Sequence, residues 1–396
     1  MYVCFYFQVH QPMRLKRFSI FSSPSSSPLE DYFNHELNAR IMKKVAEKCY
    51  LPANQIMLEL LEKFPEFYVT FSLTGVFIEQ CKNFAPEILD SFAALSKTGK
   101  VEFLSETYYH SLASLFSTAA EFIEQISLHQ QTISELATPS SIFRNTEAIY
   151  SNKIARVVHS LGFEGILTEG IEHILGWRSP NYVYHAKDLP NLKLLFRNYR
   201  LSDDIGYRFS AQGWNEYPLT AKKYASWLSS LKGDCCQIFM DYETFGEHHW
   251  SDTGIFDFLR YLPGEILSHK HLEFSTPSRI VKALHALDEI DVPNTISWAD
   301  MERDTSAWLG NEMQKSCFSL LESLEEQVKA TKNEELIHAW RLLQSSDHLY
   351  YLSTKSLSDQ DVHNYFSPYP NPFESYINLM NILQDFSSRV AQEEKK

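Results

Sequence analysis

Between residues 3 and 274 the chain repeats one rhythm: a short run of apolar or β-branched residues, then an amphipathic stretch with helical spacing. The runs lie at Val3–Val9, Phe67–Ser72, Val101–Ser105, Ser141–Asn145, Gly165–Thr168, Leu192–Phe196, Gln237–Asp241 and Leu272–Phe274, and read as strands. Between them, Asn54–Phe64 gathers Ile56, Met57, Leu60, Leu61 and Phe64 behind a capping Asn54. Glu121–Ala137 and Ser151–Leu161 repeat that pattern, the latter stopping at Gly162, a residue suited to a helix C-cap. Strand, helix, strand at this spacing makes βαβ units and a mainly parallel sheet. With only 13 glycines and 16 prolines in 396 residues, a turn-dense all-β alternative is excluded.

Beyond about Ser278 the strand signal fades. Gln314–Lys329, Asn333–Gln344 and Phe373–Ala391 have helical spacing and are joined by a Tyr/Pro/Asn-rich link at Tyr365–Pro372. The expected organisation is a catalytic barrel over residues 1–285 and a helical C-terminal region over 286–396, with Val292–Asp304 as a long loop folding back over the sheet. Ser19–Pro28 reads as a flexible surface loop.

Charge and cysteine content narrow the function classes. Thirty-six Lys plus Arg against 50 Asp plus Glu give a formal charge of −14, which repels phosphate backbones and anionic lipid, so nucleic-acid and membrane partners are not expected. No stretch approaches 18 apolar residues, and the first seven residues are too short for a signal h-region. The six cysteines are scattered without a C-x-x-C pair, which suits reduced, buried thiols and a cytoplasmic location. Aromatics reach 14%, more than a core alone calls for, and fit a cleft for flat amphipathic ligands.

The reactive side chains fall in one kind of place: directly after the strands. His10-Gln11-Pro12 follows the first, Ser105–His110 the third, Arg144–Glu147 the fourth, Thr168–Gly170 the fifth, Arg197–Arg200 the sixth, and Asp241–Trp250 the seventh. In a parallel α/β barrel those positions converge on the C-terminal rim, where ligands bind. The chemistry there is not nucleotide or serine-hydrolase chemistry, because G-x-G-x-x-G, G-x-x-x-x-G-K-[ST] and G-x-S-x-G are all absent. His248-His249 and His269-x-His271 lack H-E-x-x-H spacing, so no metal is expected. What remains is a pair of carboxylates, Glu147 and Asp241, each ending a different strand, as glycoside cleavage requires. Strand alternation puts Glu243 on the same face as Asp241, where it is expected to raise the Asp241 pKa.

At this point the segments resemble a known family. His10-Gln11-Pro12, VEFLSETYYHSLASL at Val101–Leu115, FRNTEAIYSNKIA at Phe143–Ala155, MDYETFGEHHW at Met240–Trp250 and WADMERDTSAWLGN at Trp298–Asn311 resemble, in order, the five sequence regions of glycoside hydrolase family 57, in its α-amylase branch. Trp340–Tyr351 and Val362–Pro372 look similar to that branch too, so the likeness runs through nearly the whole chain. It implies an incomplete (β/α)7 barrel with parallel strands followed by a C-terminal helical bundle, acting on an α-glucan or maltooligosaccharide with retention and without cofactor or metal. By position in those regions, the catalytic nucleophile falls on Glu147 and the acid/base on Asp241. His10, His110, Arg144, His248, Asp304 and Trp308 then line sugar subsites, and Trp250, Trp308 and Tyr109 are candidate sugar platforms, although Trp308 and Tyr109 also suit core packing. The chain departs from the family's transferases at His110, Arg144 and His248, where those enzymes carry Glu, Trp and Trp. Three alternatives stay open: a glucanotransferase or branching enzyme using the same pair, a glucan-binding protein with little turnover, and a metal-dependent polysaccharide deacetylase using rim histidines.

Overall fold

The structure, a computed structural model, describes residues 1–23, 25–355 and 367–394. Its sheet contains β1 (Tyr2–Val9), β2 (Val69–Leu73), β3 (Val101–Phe103), β4 (Ile142–Arg144), β5 (Gly165–Glu169), β6 (Val183–Ala186), β7 (Leu189–Arg197), β8 (Cys235–Asp241), β9 (Glu273–Phe274) and β10 (Glu289–Ile290). Parallel pairing runs β7–β8–β1–β2–β3 in one direction and β7–β5–β4 in the other. One parallel bridge, from Ser105 just past β3 to Phe143 of β4, brings the two ends together. The seven strands β1, β2, β3, β4, β5, β7 and β8 thus form an incompletely closed parallel barrel, with a helical region after it. Two strands escape the sequence pattern. β6 runs antiparallel to β7 and is only four residues long, turning through Asp188 at a φ of 60° with no glycine to mark the turn. β10, two residues beside β6, is too short to show any period.

Alternation along the strands decides what fills the barrel. On β1, Val3, Phe5, Phe7 and Val9 point out under the helices, and join Phe71, Phe77 and Phe92 in one cluster. Cys4 and Tyr6 point in, and meet Ile142, Leu167, Leu195 and Phe239 in another. Tyr6 and Phe239 stack with ring centroids 4.6 Å apart. The same inward parity, one step further toward the C-terminal ends, lands on Gln8, Ser72, Arg144, Glu169, Arg197 and Asp241. The inward rows thus end in polar side chains at the top, above the apolar cluster of Tyr6, Ile142, Leu167, Leu195 and Phe239. The polar upper layer follows from register alone: Gln8 of β1 stands beside Asp241 of β8.

The C-terminal helices share a core with the barrel. Phe122, Phe143 and Tyr150 pack in one cluster with Trp340, Leu383 and Phe386. The segment expected as one helix over 314–329 is two, Glu312–Ser323 and Glu325–Ala330; the first starts at an Asn311 capping box. The loop at 292–304 is held against the segment after β4: Asn152 donates its backbone N–H to Val292 (2.9 Å), and Ile296 and Tyr150 form an antiparallel bridge. Of the link at 365–372, residues 365 and 366 lie outside the described residues, as does the first part of the motif at 362–372.

Candidate active site

A cavity of about 630 Å³ opens above the polar layer. Glu147 and Asp241 both line it, together with His10, His110, Arg144, His248, Trp250 and Trp308. Of the sequence-derived site residues, Asp304 and Tyr109 stay away from it; Tyr109 is buried in the core, its hydroxyl 2.9 Å from His338 Nδ1. The Asp304 carboxylate is exposed and accepts from the backbone N–H of Ser306, the first residue of the short helix Ser306–Leu309, at 2.8 Å. Asp300, four residues earlier in the same motif, lines the cavity instead and pairs with Lys355 at 2.7 Å.

Glu147 sits in a strained turn. Its φ and ψ are 55° and 27°, and Ala148 follows with a φ of 52°. Left-handed backbone at two successive non-glycine residues costs about 1–2 kcal/mol each and persists only where the surroundings fix it. Here Asn145 Nδ2 donates to the Ile149 carbonyl (3.0 Å), Thr168 Oγ1 to the Ala148 carbonyl (2.9 Å), and the Trp298 N–H to the Glu147 carbonyl (3.2 Å). The side chain is gripped as firmly. Oε1 accepts from His110 Nε2 (3.2 Å) and Ser346 Oγ (3.3 Å), while Oε2 accepts from the Trp298 indole Nε1 (2.6 Å). Burial pushes the Glu147 pKa up, but the His110 and Trp298 hydrogen bonds and the charges of His110 and Arg144 outweigh it and hold it below the ordinary value.

Asp241 is the opposite case. Burial first, then the negative charge of Glu147, push its pKa up to about 6, against a pull from Arg144, His110 and Arg197. The like charge that lifts Asp241 is thus that of Glu147 rather than the expected Glu243. Glu243 is itself lifted to about 8 by burial and by Asp241, and accepts hydrogen bonds from the Tyr50 hydroxyl and from Gln11 Nε2 (3.5 Å). One cavity therefore holds a carboxylate kept charged and two carboxyls biased toward the protonated form.

Cationic groups lie beneath this set. His110, pulled down by burial but raised further by Glu106 and Glu147, reaches about 9 and is an imidazolium at neutral pH. It stacks on His10 with centroids 4.1 Å apart, and burial plus the His110 charge lower the His10 pKa. His10 Nε2 lies 3.0 Å from Asp347 Oδ2, and Nδ1 2.9 Å from Thr74 Oγ1. Arg144 is buried, donates to Gln8 Oε1 and lies 4.7 Å above the Phe239 ring; its Nε and Nη2, like Trp308 Nε1, have no hydrogen-bond partner among the described residues. Trp250 is 58% exposed at the rim, open to a ligand face, with Lys48 Nζ 5.3 Å from its ring centroid. Both paired histidines line the cavity, and the His249 ring is tied to its wall, with Nδ1 2.7 Å from Ser210 Oγ and Nε2 2.9 Å from the Ile205 carbonyl.

Trp298, Asp347 and Ser346 are the contacts that sequence reasoning passed over, although both of their motifs had been marked. The signal for Trp298 is its place at the start of the fifth motif, but strand register says nothing about a loop that reaches the rim from outside the barrel. Among the described residues no cluster of three His, Cys, Asp or Glu side chains is arranged to hold a metal ion.

Comparison with known proteins agrees with this geometry. A family model described as glycosyl hydrolase family 57 matches residues 4–293. A Methanocaldococcus jannaschii protein, named provisionally as an alpha-amylase, is 51% identical over 99% of this chain and 85% of its own length. In fold, the chain is similar to the 4-alpha-glucanotransferase of Thermococcus litoralis (TM-score 0.67, 16% identity, 97% of this chain) and spans 60% of that longer enzyme. It is similar also to the branching enzyme of Thermococcus kodakaraensis (TM-score 0.69, 14% identity, 98% of this chain and 90% of that one). Matched by that model over most of its length and by a relative half identical to it, the chain belongs to glycosyl hydrolase family 57 and is a glycosidase of that family.

Proposed function

We propose that the protein hydrolyses α-1,4-glucosidic bonds of starch, glycogen or maltodextrins by a retaining double displacement, with Glu147 as nucleophile and Asp241 as acid/base. A Glu147 carboxylate oxygen attacks the anomeric carbon as the glycosidic C–O bond breaks, and Asp241 gives its proton to the departing oxygen. Water then attacks the same carbon, Asp241 takes the water proton, and the glucosyl ester bond breaks to restore the Glu147 carboxylate. The observation that carries this reading is the opposed protonation bias of two carboxyls on one cavity, Glu147 held low and Asp241 lifted to about 6. The His110 and Trp298 donors also suit the second step, because they stabilise the carboxylate as it leaves. Arg144 and Trp308 have donors free for sugar hydroxyls, and His10, His248 and Trp250 complete the subsites. The α-glucan assignment draws on the alpha-amylase name of the 51% identical relative.

Incubation with maltoheptaose tests the whole reading. Wild type should yield shorter maltooligosaccharides of retained anomeric form, and Glu147→Gln none. Products longer than the starting oligomer assign transfer instead, and undiminished activity of Glu147→Gln overturns the catalytic pair. Retention further requires a carboxyl separation of about 5–5.5 Å, inversion about 6.5–9.5 Å, so the product anomer reads that geometry directly.

The two-part organisation at residue 285 is part of the proposal, with the C-terminal region supplying the 292–304 loop and Asp347 to the cleft. Six buried, unpaired cysteines favour a reducing cytoplasmic setting, and the charge of −14 disfavours a nucleic-acid partner.

A further inference from the structure

Arg303 lies outside the cavity lining, yet it ties the loop that touches Glu147 to the barrel. Its Nη1 donates to the Trp298 carbonyl and lies 3.4 Å from Glu169 Oε2; its Nη2 lies 3.9 Å from Asp203 Oδ2. Glu169 is fully buried at the end of β5, and Glu169 and Asp203 also hold Arg197 at 2.9 and 2.5 Å, so the two acids form a fixed anchor. The Ser297 N–H donates to the Arg303 carbonyl at 3.0 Å, closing the 297–303 segment on itself. Within it, Asp300 and Arg303 both adopt a φ of 55°. A loop with two left-handed non-glycine residues needs an outside grip, and the guanidinium supplies one. The supported residue, Trp298, then donates to Glu147 from both its backbone and its indole.

We propose that Arg303 is a positioning residue: anchored on Glu169 and Asp203, its guanidinium fixes the Trp298 carbonyl and thereby holds the indole N–H against the Glu147 carboxylate. The inference rests on the reading of Glu147 as nucleophile. The other groups facing Glu147 are His110, Arg144, Asp241 and Ser346, and those facing Arg303 are Glu169, Asp203, Arg197 and the Tyr199 ring. Losing the anchor leaves the first set in place and removes only the Trp298 contact.

The test compares Arg303→Met, Arg303→Lys, Trp298→Phe and the double variant Arg303→Met/Trp298→Phe on a chromogenic maltooligoside across pH. Arg303→Met should lower kcat about tenfold with little change in KM, and move the acidic limb of kcat/KM up by about one pH unit. Arg303→Lys should recover part of both effects, and the double variant should lose little beyond Trp298→Phe alone. A wild-type kcat and acidic limb in Arg303→Met, or fully additive losses in the double variant, overturn the proposal. If Arg303→Met does not fold, Arg303→Lys carries the same two readouts. Fluorine NMR of 5-fluorotryptophan-labelled protein separates this inference from the reading beneath it. The Trp298 resonance, identified by its loss in Trp298→Phe, should shift and broaden in the Arg303 variants whether or not Glu147 proves to be the nucleophile, and an unchanged resonance refutes the anchor.

Discussion

His110 Nε2 lies 3.2 Å from Glu147 Oε1, and the contact moves the two groups in opposite directions: the imidazole is lifted to about 9 while the carboxyl is held below its ordinary range. Each partner stabilises the charged form of the other, against a burial cost that alone would neutralise both. Glu147 is thus biased toward its ionised form by a cation set against it in the same pocket.

Replacing His110 by Gln should therefore act on the acid side of the pH profile. Gln keeps a hydrogen-bond donor but not the charge, so the Glu147 pKa rises. A nucleophile must be ionised, and a higher pKa costs activity as pH falls. The acidic limb of kcat/KM should move to higher pH, with a loss of about tenfold at pH 5 and a smaller one at pH 6. Coincident wild-type and His110→Gln profiles at low pH would show that the imidazolium does not set the Glu147 charge.

In the proposed mechanism the basic limb reports Asp241. The acid must hold its proton before the first step, so kcat/KM should fall as pH rises through about 6. After burial, the largest upward cause is the Glu147 charge, and in Glu147→Gln the Asp241 pKa should drop. Carbon-13 NMR of aspartate-labelled protein, with the Asp241 signal assigned through Asp241→Asn, checks this without turnover. An Asp241 titration unmoved by Glu147→Gln would separate the two carboxyls electrostatically and remove the basis for their division of labour.

What the sequence made legible is what strand geometry controls. Gln8, Arg144 and Asp241 occupy the inward parity at strand ends, so their convergence follows from the alternation of apolar runs and from parallel pairing. Trp298, Asp347 and Asp300 come from a loop and from helices laid over the barrel rim, whose placement depends on long-range packing. Alternation cannot predict such contacts: Ser346 and Glu147 are 199 residues apart in the chain. The mistaken weight on Asp304 has the same origin, since within an irregular loop motif position alone does not say which acid faces inward. The turn that carries His248 and His249 to the rim passes through Gly246, whose φ of +113° and close approach to the Lys48 carbonyl, 2.0 Å from where a Cβ would stand, leave room for no other residue.

The two loop acids give a direct comparison. Asp304→Asn keeps an oxygen to accept from the Ser306 N–H and does not line the cavity, so activity should stay within about twofold of wild type. Asp300→Asn breaks a buried pair with Lys355 beside the ligand space and should lower kcat/KM by about tenfold or more. Parallel assays of the two purified variants on soluble starch decide the matter, and the reverse order of sensitivity would return Asp304 to the site.

Glu243 offers a test in stability rather than rate. Its pKa in the fold, about 8, lies far above the ordinary 4.5 because burial and the nearby Asp241 disfavour its charge. Between those values the unfolded chain has released the proton and the folded one retains it, so the stability contributed below pH 4.5 is lost as pH rises through 8. Glu243→Gln stays neutral at every pH and still accepts from the Tyr50 hydroxyl, so it should not carry that slope. Urea unfolding at pH 5 and pH 8 should show the wild type losing more stability across the interval than Glu243→Gln. Equal losses in the two proteins would mean that Glu243 is ionised in the fold at neutral pH, and that the cavity carries one more negative charge than its burial allows.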